Sequence, residues 1–307
     1  MGELFDRYVV VDWSAAGRPT IGRDSIWIAV VDDRPRARVR RTNPSTRHQA
    51  AAELAGLRTP ELRVLVAIDA SLGYPQGTAA WFGLEGPTPW RAMWSHLAAD
   101  LVDAPDNAND RFEMAARLNR RRGGEGPFWG RPATAPIDGI GTRKPAAMPL
   151  HEFRIAETRL RSAGRRPASC WQLLGAGSVG SQTLTLLPIL HRLLLAGFVE
   201  IWPFTTGLTT PVPVAGVAVV AETWPTAFDI DLSRHEVRDE AQVDGVVRRL
   251  RAVDRAGELA AWFAPEVEPE QRHAVETEEG WALTPPRSGA HHHDDTDHAK
   301  AGPFGDG

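Results

Sequence analysis

The chain has 307 residues, 42% of them apolar, with 35 Lys+Arg against 39 Asp+Glu and one cysteine, Cys170. That length supports one large core or two small ones, and the composition excludes a collagen, a disulfide scaffold and a Cys-cluster zinc site. No apolar run nears the roughly 20 residues of a membrane helix, and Met1–Asp6 lacks a signal-peptide layout, so a cytoplasmic location is expected. Lys144 and Lys300 are the only lysines. With no G-x-x-x-x-G-K-[ST], a P-loop nucleotide site is excluded, and Schiff-base chemistry has little to work with. Residues 266–307 hold ten acids and three bases, a net −7, and the remainder carries +3. Neither half has the strong basic bias of a dedicated nucleic-acid binder.

In chain order, Tyr8–Asp12 is a β-branched run that reads as a buried strand ending in an acid. Ser25–Val31 reads as a second strand and Ala37–Thr42 as a third, joined by a turn at Asp32–Pro35 into a hairpin. Ser45 is placed to cap a helix running to Leu57. Arg63–Asp69 is another buried strand, again ending in an acid. From Ser71 to Ala196 the pattern turns helical and loop-rich: helices over Trp90–Val102, Glu113–Arg122, Glu152–Arg161 and Gln182–Leu195, the last interrupted at Pro188, and a Gly/Pro-rich loop over Gly123–Pro149. Val212–Val220 returns to strand and leads into Ala221-Glu222. Glu240–Val253 and Ala256–Phe263 read as the last helices. Beyond Pro265 the apolar pattern fades into an acidic, His-containing tail that reads as disordered.

Two strands thus end in aspartates, Asp12 and Asp69, and a third in Glu222. In open α/β sheets, ligands bind beyond the carboxyl ends of the strands. A carboxylate following a fully apolar strand pays for lost hydration unless it is paired or binds a cation. Converging carboxylates repel each other, and a divalent metal relieves that repulsion. Oxygen-only donors suit Mg²⁺ or Mn²⁺, so Asp12 and Asp69 are candidate ligands for an ion that activates water and stabilises a phosphoryl transition state. The bland alternative is that each aspartate caps the next turn.

The neighbours of these acids carry a resemblance. Val10-Val11-Asp12-Trp13-Ser14, Ile68-Asp69-Ala70-Ser71-Leu72-Gly73-Tyr74-Pro75 and Ala221-Glu222-Thr223-Trp224-Pro225, with Gly177-Ser178-Val179-Gly180-Ser181-Gln182 and Leu187-Pro188-Ile189-Leu190 between them, resemble the domain-of-unknown-function 429 family of predicted ribonuclease H-like nucleases. The match runs in order over roughly residues 8–255. It implies an α/β fold: a ribonuclease H-like mixed sheet over 1–265 with a large helical insertion at about 71–196, and a disordered tail over 266–307. It implies a metal-dependent phosphodiester hydrolase, with Asp12 and Asp69 as metal ligands, a helix acid (Asp239, Glu240 or Asp244) completing the site, and Glu222 able to join it. Asp12, Asp69, Glu222, Asp239 and Asp244 are the candidate catalytic acids, and Asp12, Asp69 and Asp239 the candidate metal ligands, for Mg²⁺ or Mn²⁺. The expected partner is a phosphodiester or nucleotide, nucleic acid included, and no membrane. Chains like this one also carry labels in cofactor biosynthesis, which no residue pattern here supports.

Other motifs compete. Gly175–Gly180 fits G-x-G-x-x-G, but the segment before it, Ala168–Leu174, is short and partly polar, unlike the strand of a true dinucleotide fingerprint. A helix N-terminus binding a ligand phosphate fits better. Arg111 and Arg154 are candidate phosphate contacts, and Trp129 a base-stacking surface. Ser14–Gly17 offers a different reading of the same fold, in which the loop after the first strand holds a nucleotide phosphate as in kinase-like relatives, with Ser14 a substrate contact. A third reading is a binding module without catalysis.

Overall fold

The computed structural model describes residues 2–57, 59–123, 126–175 and 178–286. Its centre is a six-stranded mixed sheet. The strands are β1 (Arg7–Asp12), β2 (Trp27–Asp32), β3 (Arg40–Thr42), β4 (Val64–Asp69), β5 (Val199–Ile201) and β6 (Ala218–Glu222), in the order β3-β2-β1-β4-β6-β5. β1, β4, β6 and β5 run parallel, and β2 is antiparallel to both of its neighbours, β1 and β3. This α/β arrangement, a hairpin edge on a parallel core, is of the ribonuclease H-like pattern.

Side-chain alternation sorts the strands into two buried faces. Val9, Val11, Val66, Ile68 and Val220 pack under the helices that follow β4. Tyr8, Val10, Leu65, Ala67, Val219 and Ala221 pack under α7 (Arg238–Arg255) and the C-terminal segment. Both faces are covered, so the parallel strands are apolar throughout instead of alternating with polar residues, as the sequence of β1 and β4 foretold.

The helix α1 (Arg47–Gly56) is capped one residue later than expected: the Thr46 hydroxyl accepts from the Gln49 N–H, while Ser45 bonds to the Gln49 side chain. Between β4 and β5 lie α2 (Thr78–Phe82), α3 (Pro89–Asp100), α4 (Arg111–Arg120), α5 (Ile155–Ser162) and α6 (Gly180–Leu195). Pro188 does not interrupt α6. Proline removes one backbone bond, but α6 is buried along most of its length, and the packing of Leu184, Leu186, Leu187 and Leu190 holds it helical. β5 and α2 escape the sequence reading because three and five residues are too short to show a period. The last elements are α8 (Leu259–Trp262), α9 (Pro269–Ala274) and a π turn at Val275–Glu279. Among the described residues no helix is long and apolar enough to cross a membrane.

The tail expectation fails for residues 266–286, which are part of the fold; residues 287–307 lie outside the described residues. Val275 and Leu283 are fully buried in the α7-side core. The Glu278 carboxylate accepts from the N–H groups of Gly77 and Ala79, and Glu279 from those of Gln76 and Ile155. Leu283 N–H donates to the Glu222 carbonyl at 2.7 Å. An acidic segment is therefore held inside because its carboxylates satisfy backbone donors that water would otherwise serve. The loop after β4 passes so close that a Cβ on Gly73 would lie 2.4 Å from the carbonyl oxygens of Glu278 and Glu279.

Ending the chain at residue 265 removes four buried apolar side chains, Ala274, Val275, Ala282 and Leu283, of which Val275 and Leu283 are each worth about 1.5–3 kcal/mol, together with the carboxylate contacts. Thermal melts are expected to show Tm lower by about 10 °C or more, or no soluble product. Gly73→Ala is expected to cost at least about 2 kcal/mol in denaturant unfolding, since backbone and not a flexible side chain must move.

Candidate functional site

β1 and β4 pair in register, with Asp12 opposite Asp69. Both belong to the strand face of Val10 and Ala67, the face that α7 covers. Asp239 lies in the first turn of α7 and its charge acts on both. The structure thus sets Asp12 beside Asp69 and puts Asp239 within electrostatic range of both, without gathering the three into one metal-holding group among the described residues. Among the described residues, no N–H or O–H donates to the carboxylate of Asp12 or of Asp69, so neither caps a turn. Asp239 accepts one bond, from the Asp24 N–H at 2.8 Å. Burial, then repulsion from Asp69 and Asp239, pushes the Asp12 carboxyl well above its usual range. Burial, then Glu222 and Asp239, pushes Asp69 up to about 7. Burial also raises Asp239.

Glu222 ends its strand on the opposite face, in phase with Val220, and is fully buried. Its carboxylate is saturated. Oε1 accepts from Arg154 Nη2 at 2.5 Å and Trp224 Nε1 at 2.8 Å; Oε2 accepts from Arg154 Nη1 at 2.8 Å and Leu72 N–H at 3.0 Å. Arg154 is itself fully buried, bound to Glu157 and to the Glu279 carbonyl. Arg154 is therefore a structural cation that ties α5, β6 and the C-terminal turn together, and not a contact open to substrate. Glu222 acts on the site through its charge, not as an open ligand. Asp244 also stands apart: it pairs with Arg41 and Arg248, whose guanidinium groups hold its carboxyl below the usual range despite burial.

A cleft of about 1150 Å³ opens over Asp12, Asp69 and Asp239, above the roughly 300–1,000 Å³ usual for small-ligand pockets. Ser14, Arg111 and Trp129 line it. Ser14 is engaged: its hydroxyl donates to the Asp24 carbonyl and accepts from the Ala16 N–H. Arg47 binds the Ser14 and Ala16 carbonyls, so this loop is closed on itself. The Trp129 indole N–H is buried with no partner. Sequence reasoning missed Arg18, Arg23, Asp24 and Arg166, which also line the cleft. They sit in loops whose residue types give no periodic or motif signal.

The segment before the glycine motif is not a strand, and β5 follows α6 parallel to β6. Gly180 is needed for packing, since a Cβ there would lie 2.4 Å from the Cys170 carbonyl oxygen. Ala176 and Gly177 lie outside the described residues. Burial pushes the Cys170 thiol up, away from nucleophile behaviour.

The residues that could hold a cation are Asp12 and Asp69, with Asp239 beside them. Their donor set is hard oxygen, which fits Mg²⁺ or Mn²⁺. Among the described residues, no three His, Cys, Asp or Glu side chains stand close enough to form a finished metal cage. An ion here would need water or substrate oxygens to complete its shell, the normal condition of Mg²⁺ sites. No family model matches the chain, and no curated protein or solved structure matches it either.

The raised carboxyls fix the sign of a pH effect. The folded state holds protons on Asp69 that the unfolded state releases near pH 4, so this group costs stability as pH rises from about 4 to 7. Asp69→Asn is expected to unfold at pH 8 with on the order of 2 kcal/mol more stability than the wild type, and to show no difference at pH 3. Urea unfolding of both chains across that range measures it.

Proposed function

We propose that this protein is a metal-dependent phosphodiester hydrolase of the ribonuclease H-like type. The observation that carries the reading is the Asp12–Asp69 pair: two carboxylates on adjacent parallel strand ends, lining a large cleft and accepting no hydrogen bond from any described residue. Such a pair is unfavourable by itself and becomes favourable with a hard cation. The motifs around Asp12, Asp69 and Glu222 and the strand order support the same reading. A self-closed Ser14–Gly17 loop speaks against the kinase-like alternative.

Asp12 and Asp69 would hold Mg²⁺ or Mn²⁺, with Asp239 oriented by the Asp24 N–H on the far side. The ion would lower the pKa of water and offset charge on the phosphoryl oxygens. Asp239, with its raised carboxyl, is placed to hold or release a proton beside the pair. Unpaired arginines on the cleft wall would orient the anionic substrate.

Calorimetric titration of Mn²⁺ tests this, with His291→Ser, His292→Ser and His293→Ser introduced to remove the histidine run. Binding with Kd below about 1 mM is expected, weakened at least tenfold by Asp12→Asn and by Asp69→Asn. Hydrolysis of bis(4-nitrophenyl) phosphate is expected to require Mn²⁺ and to fall about 100-fold or more in either variant. Absence of Mn²⁺ binding together with cation-independent activity overturns the proposal.

A further inference from the structure

Arg111 opens α4 and lines the cleft. Its guanidinium is held in place on three sides. Nε donates to Ser181 Oγ at 2.9 Å, Nη1 donates to Asn109 Oδ1 at 2.8 Å, and the plane lies 4.3 Å from the Phe112 ring centroid. Ser181 is in turn fixed, its hydroxyl donating to the Leu173 carbonyl at 2.6 Å. Trp129, from the loop before the Leu173 segment, pairs with it, its carbonyl accepting from Leu173 N–H, and also lines the cleft.

What this cation lacks is a counter-charge. Among the described residues Arg111 forms no ion pair, and Nη2 has no hydrogen-bond partner. Burial, then the nearby Arg47 guanidinium, lowers its pKa to about 10. The acids that act on it are Glu113 and Asp103, not the Asp12–Asp69 pair. A largely buried cation without a carboxylate is costly unless an anion completes it. Ser181 lies in the first turn of α6, a 16-residue helix, whose dipole adds positive potential at the same place. Arg166, another cleft-lining arginine, makes no side-chain ion pair or hydrogen bond among the described residues.

We propose that Arg111 anchors a second anion subsite, which holds a phosphate of the substrate other than the one cleaved at the Asp12–Asp69 centre. Resting on the hydrolase reading, this narrows the substrate class to phosphodiesters that carry a further phosphate, as oligonucleotides do, and disfavours isolated single diesters.

The test uses the full chain and inorganic phosphate without divalent cation. Calorimetry is expected to show phosphate binding that Arg111→Gln weakens at least tenfold and that Arg111→Lys partly restores. Melts of the variants confirm that they fold. A 5′-phosphorylated and a 5′-hydroxyl dinucleotide then locate the phosphate. A tenfold preference for the phosphorylated form that collapses in Arg111→Gln assigns a terminal phosphate. Equal binding of both, lost equally in Arg111→Gln, puts the single diester of the unphosphorylated form on Arg111 and overturns the proposal. No phosphate binding by the wild type, or equal binding by folded Arg111→Gln, overturns the proposal. Absence of Mn²⁺ binding and cation-independent activity, with phosphate binding lost in Arg111→Gln as expected, would overturn the hydrolase reading and leave the anion subsite standing.

Discussion

The register of β1 on β4 is the constraint on which the site depends. Pairing Val11 with Ile68 and Asp12 with Asp69 buries two apolar strand faces and sets two carboxylates side by side. A slip of one residue would turn every core side chain to the wrong face, so burial of Val9, Val11, Val66 and Ile68 enforces the placement of the acids. The favourable and unfavourable terms are thus coupled. Apolar burial on both faces of the sheet supplies the free energy that holds two carboxyl groups on neighbouring strand ends.

A second buried centre, Arg154, organises what surrounds the pair. It joins Glu157 of α5, Glu222 of β6 and the carbonyl of Glu279 in the C-terminal turn. Three elements distant in sequence meet on one guanidinium, whose planar fork satisfies several acceptors at once. The cleft therefore contains charge of two kinds. Glu222 and Arg154 are closed on each other and structural. Asp12, Asp69 and Arg111 line the cleft, and among the described residues the two carboxylates accept no hydrogen bond and the guanidinium forms no ion pair.

The sheet was legible where strands were long, apolar and ended in an acid, as at β1, β4 and β6, because burial on both faces writes a continuous β-branched run. The Asp12–Asp69 pair was legible for the same reason. The roles of Glu222 and Asp244 were not. Glu222 falls on the other side of the sheet, which follows from alternation only once its pairing with Ile68 is known. Asp244 lies five residues after Asp239, about 140° around the same helix, and so faces Arg41 instead of the cleft. Arg154 looked like a phosphate contact because an arginine in a loop-rich segment carries no mark of its burial. The acidic stretch after Pro265 was misread because composition reports average solvation, while Glu278 and Glu279 are held by individual backbone N–H groups.

That C-terminal turn also sets an order on synthesis. A ribosome makes β1 and β4 early, and Asp12 and Asp69 can meet while most of the chain is still unmade. The backbone donors at Gln76, Gly77 and Ala79, in the loop that leads away from Asp69, find their acceptors only when Glu278 and Glu279 emerge. The Arg154 guanidinium likewise gains its last acceptor only with the carbonyl of Glu279. The cleft is therefore among the last parts of the molecule to be finished, and a nascent chain stalled before this turn carries the acids without the frame that fixes the loop beside them.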